Sequence, residues 1–295
     1  MFDTKKIILG SAQWGSHYGI TNNYGQTPLN EIGKILDFAK RNGTTFIDTA
    51  NLYGEAEQNL GKFDLKDFNI ITKTIQFNNS VIKDFQIDRL NFEFHSSLNK
   101  LGLKNIYGLL IHKATDILKE DSKLIINKLI SFKKDNLVKK IGISLYDFSL
   151  LDEILNIFTP DIIQIPFNIF DQRLLEGDIL KKIKNKNIEI HARSIFLQGI
   201  LLSEINSLPT YFSEWIDLLQ SWSNICNENN LSKLEAALSF VIGRNEVDFV
   251  VIGFENLIQL EECFHFNKFK KIDFRHSDIN DLNLVDPRKW NNGRG

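Results

Sequence analysis

Four residues with acid–base side chains occupy similar positions in successive segments of the chain. Asp48 ends a β-branched, apolar stretch, and Tyr53 follows it five residues later in a short turn. Lys73 and His112 each end a further apolar stretch. If these stretches are neighbouring parallel strands, their carboxyl ends meet at one face of the fold. The four side chains would then lie together, and their functional groups are ones that carry out general acid–base catalysis.

Each of these residues also has an ordinary structural interpretation. Asp is a favoured cap at the start of a helix, so Asp48 is equally suited to capping, with Tyr53 packing on a loop. A single lysine at a strand end is usually a solvated charge, and a single histidine there is more often structural. The recurrence of all four at the ends of successive strands favours the functional interpretation.

The pattern of apolar residues predicts which elements position them. Strand and helix patterns alternate along the chain, which is typical of parallel βαβ units. The predicted strands are residues 7–10, 44–47, 68–73, 106–112, 138–145, 161–167, 188–196 and 248–254. The predicted helices are residues 29–41, 55–60, 81–101, 124–135, 148–158, 174–184, 231–243 and 256–265.

Eight such units predict an α/β fold, a (β/α)8 TIM barrel, because about 250 residues commonly form one such barrel. We expect residues 1–295 to be a single domain, with a long polar loop at residues 11–28. Residues 198–230 are predicted as an insertion before the seventh partner helix, helical around residues 212–226.

Composition excludes several classes of protein. The formal net charge is −2, which gives no reason to expect a nucleic-acid partner. No apolar run approaches the roughly 20 residues of a membrane span, and the N-terminal apolar run is too short for a signal peptide. We therefore expect a cytoplasmic protein. Cys226 and Cys263 have neither metal-binding nor redox spacing and are predicted to be reduced thiols.

The type, order and strand positions of Asp48, Tyr53, Lys73 and His112 resemble the catalytic tetrad of the aldo-keto reductase superfamily, and the chain is similar to its bacterial members. The resemblance implies hydride transfer between NADP or NAD and a carbonyl compound, without a metal. It makes Tyr53 the general acid. The unperturbed pKa of a tyrosine is about 10, and the resemblance implies that the Lys73 ammonium lowers it. Asp48 would orient Lys73, and His112 would orient the carbonyl.

The resemblance also assigns residues to the cofactor. No G-x-G-x-x-G follows a strand, so a Rossmann site is unsupported. Ser144 and Gln164 match positions that bind the nicotinamide carboxamide, although Leu145 replaces the usual asparagine. Arg193 stands where many members stack a tyrosine on the nicotinamide. The full predicted set is Ser144, Gln164, Arg193, Phe196, Gln198, Gly199, Gly253, Glu255, Gln259 and Glu262.

The choice between NADP and NAD is left open by the residues after the eighth predicted strand. Many family members place a lysine or arginine there to bind the 2′-phosphate of NADP. This chain has Glu255 instead, which would repel a phosphate or accept hydrogen bonds from a ribose. A cation from elsewhere, such as Arg244 or Lys268, is the alternative source of charge.

The predicted substrate is a small carbonyl compound, with sugar-like compounds among the candidates. Trp14, Tyr18, Phe77 and Lys113 are the predicted substrate-binding residues, although for each aromatic ring ordinary packing is the more common role. One alternative function is a dinucleotide-binding, redox-sensing or regulatory subunit with little turnover. A metal-dependent lyase or isomerase is disfavoured, because it requires clustered His and carboxylate ligands at strand ends.

Overall fold

A computed structural model describes residues 3–266 and 269–290. Within these residues eight parallel strands close into a barrel in chain order, with β1 paired to both β2 and β8. The predicted (β/α)8 barrel is therefore confirmed. The strands are β1 (Ile7–Gly10), β2 (Phe46–Asp48), β3 (Asn69–Lys73), β4 (Ile106–Ile111), β5 (Val138–Ser144), β6 (Ile162–Pro166), β7 (Glu189–Arg193) and β8 (Phe249–Gly253).

Helices cover the outside of the barrel. The spacing of Ile32, Ile35, Leu36 and Ala39 places all four on one face of α2, where they are buried against the strands. The helices are α1 (Ala12–Gly15), α2 (Leu29–Arg41), α3 (Ala56–Leu60), α4 (Asp84–Leu101), α5 (Lys123–Lys134), α6 (Leu151–Ile157), α7 (Ile179–Asn185), α8 (Ile216–Glu228), α9 (Lys233–Ile242), α10 (Leu257–Phe264) and α11 (Leu282–Val285).

The barrel interior is filled by side chains. Ile8, Ile71, Leu110 and Ile162 form a fully buried layer inside the barrel, and partly buried aromatic rings pack against it. A second, larger apolar core lies between the strands and the helices. The interior is packed, and a wide opening lies at the carboxyl ends of the strands.

Several predicted boundaries were wrong for local backbone reasons. β7 ends at Arg193 rather than at residue 196, because Ser194 adopts a left-handed conformation with φ of 58°. α7 begins at Ile179 rather than at residue 174, because Gly177 has φ of 53° and cannot continue a helix. The loop at residues 11–28 also contains α1, which was not predicted.

The insertion after β7 has the predicted helical content. It contains short 3₁₀ turns and α8, and it leads into α9, which begins with a capping box formed by Ser232 and Glu235. The indole nitrogen of Trp215 donates a hydrogen bond to Asp281 in the C-terminal segment. The insertion and the C-terminal segment therefore pack together beside the mouth of the barrel.

None of the described helices is long and apolar enough to cross a membrane.

Candidate active site

A cavity of about 470 Å³ opens at the carboxyl ends of the strands. Asp48, Tyr53 and His112 line one part of it. Asp48 is the last residue of β2, Tyr53 lies in the turn after β2, and His112 directly follows β4. Parallel strands in a barrel end at the same face, so residues far apart in the sequence meet there. The structure therefore brings three of the four predicted catalytic residues to one cavity.

The fourth residue, Lys73, lies behind the cavity wall and pairs with Asp48. Its Nζ is 2.6 Å from Asp48 Oδ2 and 2.9 Å from the carbonyl oxygen of Thr49, and both charged side chains are almost fully buried. The other carboxylate oxygen of Asp48 accepts a 2.7 Å hydrogen bond from Gln164 Nε2. Both oxygens of the buried carboxylate are thus satisfied, which fixes the position of the lysine.

Tyr53 lies directly against this ion pair. The Nζ of Lys73 is 4.8 Å from the centroid of the Tyr53 ring. Burial raises the pKa of Tyr53 well above its usual value, and the charge of Asp48 raises it further. The pKa is thus raised and not lowered as expected from the sequence, because desolvation and the charge of Asp48 outweigh the effect of Arg193. Tyr53 is held protonated, which is the state required of a proton donor.

His112 completes the reactive end of the cavity. Its ring lies edge-on to Tyr53 with the centroids 6.0 Å apart. Burial lowers the pKa of His112 to about 3, and the charges of Lys73 and Arg193 contribute. The imidazole is therefore neutral at pH 7. Its buried Nδ1 has no hydrogen-bond partner among the described residues.

All ten residues predicted to bind a cofactor line this same cavity. Ser144 is the last residue of β5, and Gln164 lies in register with it in the middle of β6. Because Gln164 already donates its amide N–H to Asp48, its carbonyl oxygen is the group left for a ligand. Leu145 is fully buried and supplies no side-chain hydrogen bond in place of the family's asparagine.

The loop after β7 is hydrogen-bonded to the loop at residues 11–28 at the cavity. The backbone N–H of Ile20 donates to Gln198 Oε1 at 3.0 Å, and Thr21 Oγ1 donates to the Gln198 carbonyl at 2.9 Å. The next residue must be glycine, since φ of Gly199 is 93° and a Cβ there would lie 1.9 Å from Thr21 Oγ1. This close approach holds the two loops together at the cavity wall.

Two backbone donors at the turn between β8 and α10 are already occupied. The N–H of Glu255 donates to Gln259 Oε1 at 2.9 Å, and the N–H of Leu257 donates to Glu31 Oε2 at 3.3 Å. Asn256 caps the helix by accepting from the N–H of Gln259. Glu31, which belongs to the distant helix α2, had no sequence signal that would have placed it here.

Charge in this region is negative along the cavity wall. Glu255 and Glu262 both line it, and burial raises the pKa of Glu255. Arg244 is not among the lining residues. Lys268, the other alternative cation, lies outside the described residues.

Arg193 reaches the cavity with its guanidinium packed on an aromatic ring. The guanidinium carbon is 3.6 Å from the centroid of Tyr146, which also lines the cavity. Sequence reasoning missed Tyr146. Its position two residues after Ser144, just past the end of β5, was the available signal.

The predicted substrate-binding residues divide into two groups. Tyr18 lines the cavity. Trp14 does not, because it is fully buried and its indole N–H donates to the carbonyl of Phe254. Phe77 is also buried in the apolar core, and Lys113 is exposed away from the lining. The structure therefore does not bring Trp14, Phe77 and Lys113 to the cavity.

Two further lining residues had no role in the sequence argument. Gln13 lies against β8 so closely that a Cβ on Gly253 would come within 2.4 Å of its Oε1. The buried Ser11 Oγ has no hydrogen-bond partner among the described residues. An unsatisfied hydroxyl and close backbone approaches are features that fit a long polar ligand such as a dinucleotide.

The fold and this cavity define a class of protein, a (β/α)8 barrel with an Asp–Tyr–Lys–His set at its mouth. The model of the Aldo/keto reductase family matches residues 6–283. The chain belongs to that family, which makes the protein an oxidoreductase.

Solved structures from bacteria share the fold. An aldo-keto reductase from Bacillus halodurans in its holo form is 18% identical, with 91% of this chain and 88% of that chain covered and a TM-score of 0.71. A glycerol dehydrogenase from Gluconobacter oxydans is 19% identical, with 89% and 87% covered and a TM-score of 0.66. At these identities the likeness supports the fold alone. A search of curated proteins found no match.

Proposed function

We propose that the protein is a nicotinamide-dependent carbonyl reductase with Tyr53 as its general acid. The observation that carries this proposal is the assembly of Asp48, Tyr53 and His112 in one cavity, with Lys73 paired to Asp48 behind it. A bound nicotinamide supplies a hydride to the carbonyl carbon. The protein side chains then stabilise the negative charge that develops on the carbonyl oxygen and supply its proton.

Each residue has a separate task in this proposal. Tyr53 donates its phenolic proton to the developing alkoxide, which is far more basic than the phenol even when burial raises the pKa of Tyr53. Neutral His112 donates a ring N–H to the same oxygen and orients the carbonyl. The Lys73 ammonium stabilises the phenolate that remains, and Asp48 holds the lysine in place.

The same cavity is proposed to hold the dinucleotide. Ser144 and Gln164 would bind the carboxamide, the loop with Gln198 and Gly199 would lie along the phosphates, and Glu255 would meet the adenosine ribose. The substrate would be a small carbonyl compound, with sugar-like compounds still among the candidates. A cytoplasmic location and a single domain over residues 1–295 stay predictions.

We further propose that the cofactor is NAD rather than NADP. A 2′-phosphate needs cations or free amide donors. In the turn before α10, Gln259 and Glu31 already accept hydrogen bonds from the N–H groups of Glu255 and Leu257. The carboxylates of Glu255 and Glu262 line the cavity there. A ribose hydroxyl could donate to Glu255, whereas a phosphate would be repelled by it.

Steady-state kinetics tests the reaction. Purified protein should oxidise NADH in the presence of a panel of small aldehydes and ketones, with stoichiometric formation of alcohol. If NADH binds but no carbonyl compound in the panel is turned over, the result contradicts the reductase proposal and favours the redox-sensing or regulatory alternative.

A charge reversal tests the choice of cofactor. The variant Glu255→Arg should bind NADPH more tightly by about 1 to 3 kcal/mol, the worth of a hydrogen bond to a charged group. NADH binding should change little. Dissociation constants of both cofactors, measured by fluorescence for wild type and variant, check this. Glu246→Arg, at an exposed position outside the cavity, is the control for added positive charge. Wild-type protein that binds NADPH a hundredfold more tightly than NADH would contradict the NAD proposal.

A further inference from the structure

Three arginines surround Tyr146 at the mouth of the barrel, and two of them have carboxylate partners. Arg173 Nη2 is 2.6 Å from Asp171 Oδ2, and its Nε is 2.8 Å from Asp171 Oδ1. Arg288 makes the same two-point contact with Asp286, at 2.5 and 2.8 Å. These are paired, charge-assisted hydrogen bonds of the strong kind.

The third arginine, Arg193, has no such partner. No carboxylate in the described part of the chain forms an ion pair with it. Its two hydrogen bonds are long: 3.3 Å to Ser194 Oγ and 3.4 Å to the carbonyl of Leu145. Both are beyond the usual range for an N–H···O bond. A guanidinium has five N–H donors, so most of the hydrogen-bonding capacity of Arg193 is unspent.

The position of Arg193 is fixed although its charge is not compensated. Its guanidinium carbon stacks 3.6 Å from the centroid of Tyr146, and that of Arg288 lies 3.9 Å from the same centroid. Stacking on a ring occupies the face of a guanidinium and leaves its N–H edge for other partners. Arg193 is half-buried and lines the cavity together with Tyr53 and His112.

Among the described residues that line the reactive end, Arg193 is the cation without an ion-pair partner. Lys73 and Asp48 cancel as an ion pair, as do Arg173 with Asp171 and Arg288 with Asp286. His112 is neutral at pH 7 because its pKa is lowered to about 3. The charge of Arg193 is what remains at this end, whereas the wall near α10 carries the carboxylates Glu255 and Glu262.

We propose that Arg193 binds an anionic group, a carboxylate or a phosphate, carried by the carbonyl substrate. This rests on the proposed reductase function and narrows its substrate class to anionic carbonyl compounds. The planar N–H fork of arginine matches the oxygens of either anion at two points. Tyr146 is the positioning residue that holds the guanidinium of Arg193 against the cavity wall.

The cofactor phosphates are the competing partner for this charge. They are assigned to the loop at Gln198 and Gly199, whereas Arg193 lies with Tyr53 and His112 at the reactive end. An arginine that served the phosphates would affect NADH binding and every substrate alike. An arginine that binds the substrate anion would instead affect anionic substrates more than neutral ones and would leave the affinity for NADH unchanged.

Matched pairs of aldehydes separate these cases. The probes are 4-carboxybenzaldehyde against benzaldehyde, and glyceraldehyde 3-phosphate against glyceraldehyde. Wild-type protein should prefer the anionic member of at least one pair, which identifies carboxylate or phosphate as the recognised group. In Arg193→Gln, kcat/KM for that anionic member should fall by about 10- to 100-fold and that for the neutral member should change by less than about threefold, as expected for the loss of one charged hydrogen-bonding partner.

Two controls accompany this variant. NADH dissociation constants should be the same in Arg193→Gln and wild type. Arg275→Gln removes an exposed arginine that pairs with Asp273 away from the cavity, and it should leave the preference between the paired aldehydes unchanged. A change in Arg275→Gln equal to that in Arg193→Gln would show that only the overall charge matters, and would overturn the inference.

A binding measurement makes the inference independent of turnover. Calorimetric titration of the NADH-saturated protein with benzoate, benzamide and inorganic phosphate should show an anion affinity that Arg193→Gln loses. If neutral carbonyl compounds are reduced but neither assay shows an anion preference, the reductase proposal stands and the anion inference fails. If no carbonyl compound is reduced, the titration alone decides whether Arg193 is an anion site.

Discussion

The barrel contains two clusters built from the same four kinds of side chain, one at each end. The mouth cluster consists of Asp48, Lys73, Tyr53 and His112. The floor cluster consists of Glu189, Lys140, Tyr107 and His191, and three of its members lie near the amino-terminal ends of β4, β5 and β7. In both clusters a lysine Nζ lies over a tyrosine ring, at 4.8 Å in the mouth and 5.3 Å in the floor.

The two clusters differ in where their hydrogen bonds go. In the floor, Glu189 accepts from Lys140, from the Tyr107 hydroxyl at 3.1 Å and from His191 Nε2 at 2.6 Å. In the mouth, Asp48 binds Lys73 and Gln164, and no hydrogen bond within the described residues involves the Tyr53 hydroxyl. The mouth tyrosine and histidine face the cavity at the carboxyl ends of the strands, and the floor cluster does not line that cavity.

This comparison shows that the set of residue types does not by itself make a reactive site. The floor carboxylate uses the tyrosine, lysine and histidine as its own partners, and of their polar atoms His191 Nδ1 is left without a partner among the described residues. The mouth carboxylate is satisfied by Lys73 behind the wall and by Gln164 within it, and this leaves the tyrosine and histidine free for a ligand. Unspent hydrogen-bonding capacity beside a cavity is therefore the property that distinguishes the mouth.

The largest expected difference between the clusters is catalytic. Tyr53→Phe keeps the ring and removes the proton donor, so carbonyl reduction should fall by about 10²- to 10⁴-fold while NADH binding is retained. Tyr107→Phe, the matched change in the floor, should retain nearly full activity. Steady-state kinetics and cofactor binding on both variants check this. Near wild-type turnover in Tyr53→Phe would show that the general acid has been misassigned.

The second difference concerns stability and the lysines. Lys73→Met leaves the buried Asp48 carboxylate without its cation, which should cost about 3 to 5 kcal/mol of the free energy of unfolding. Lys140→Met should cost about 1 kcal/mol, because its side chain is partly exposed and Glu189 keeps two other partners. Urea denaturation measures both values. Equal losses would mean that the two ion pairs are equivalent and that the contrast drawn between the clusters is wrong.

Lys73→Met should also change the pH dependence of any residual activity. Removing the ammonium beside Tyr53 disfavours the phenolate, so the apparent pKa of the acidic group should rise. A pH–rate profile unchanged from wild type would contradict the electrostatic coupling between these two residues.

The smallest expected difference is the pH range in which each cluster loses stability. The pKa of His112 is lowered to about 3, so its contribution is present above the unfolded value of about 6.5 and is lost as the pH falls below it. Burial raises the pKa of Glu189, but hydrogen bonds from His191 and Lys140 outweigh this and hold it at about 2. Its contribution is lost only as the pH falls from about 4.3 toward 2.

Urea midpoints as a function of pH separate the two effects. His112→Gln should remove part of the loss of stability that begins below about pH 6.5 and continues to about pH 3, and Glu189→Gln should remove part of the loss that begins only below about pH 4.3. The opposite assignment of the two pH ranges would show that the protonation states inferred for the clusters are wrong.

The sequence predicted the fold and the mouth more fully than it predicted the contacts between them. Strand ends carry a local signal, so Asp48, Lys73 and Ser144 were found at the ends of β2, β3 and β5. Phe77 and Trp14 were misplaced, because a single aromatic residue in a loop gives no sign of whether its ring turns toward the core or the cavity.

Partners that are distant in sequence had no local signal at all. Glu31 reaches the turn before α10 across 226 residues, and Arg288 stacks on Tyr146 from the C-terminal segment. The raised pKa of Tyr53 was also missed, since desolvation depends on packing from elements on every side. These properties follow from tertiary packing and not from spacing along the chain.

The C-terminal segment adds no strand to the barrel but contributes a residue to its mouth. The last of the eight strands ends at Gly253, so the C-terminal segment contributes no strand. Its Arg288 nevertheless contacts the ring of Tyr146, on which Arg193 also stacks. The buried residues Leu284, Val285 and Trp290 attach this segment to the outside of the barrel rather than to the sheet. Proteolytic release of the segment would therefore remove none of the strands but would alter the rim that supports Arg193, and with it the proposed substrate preference.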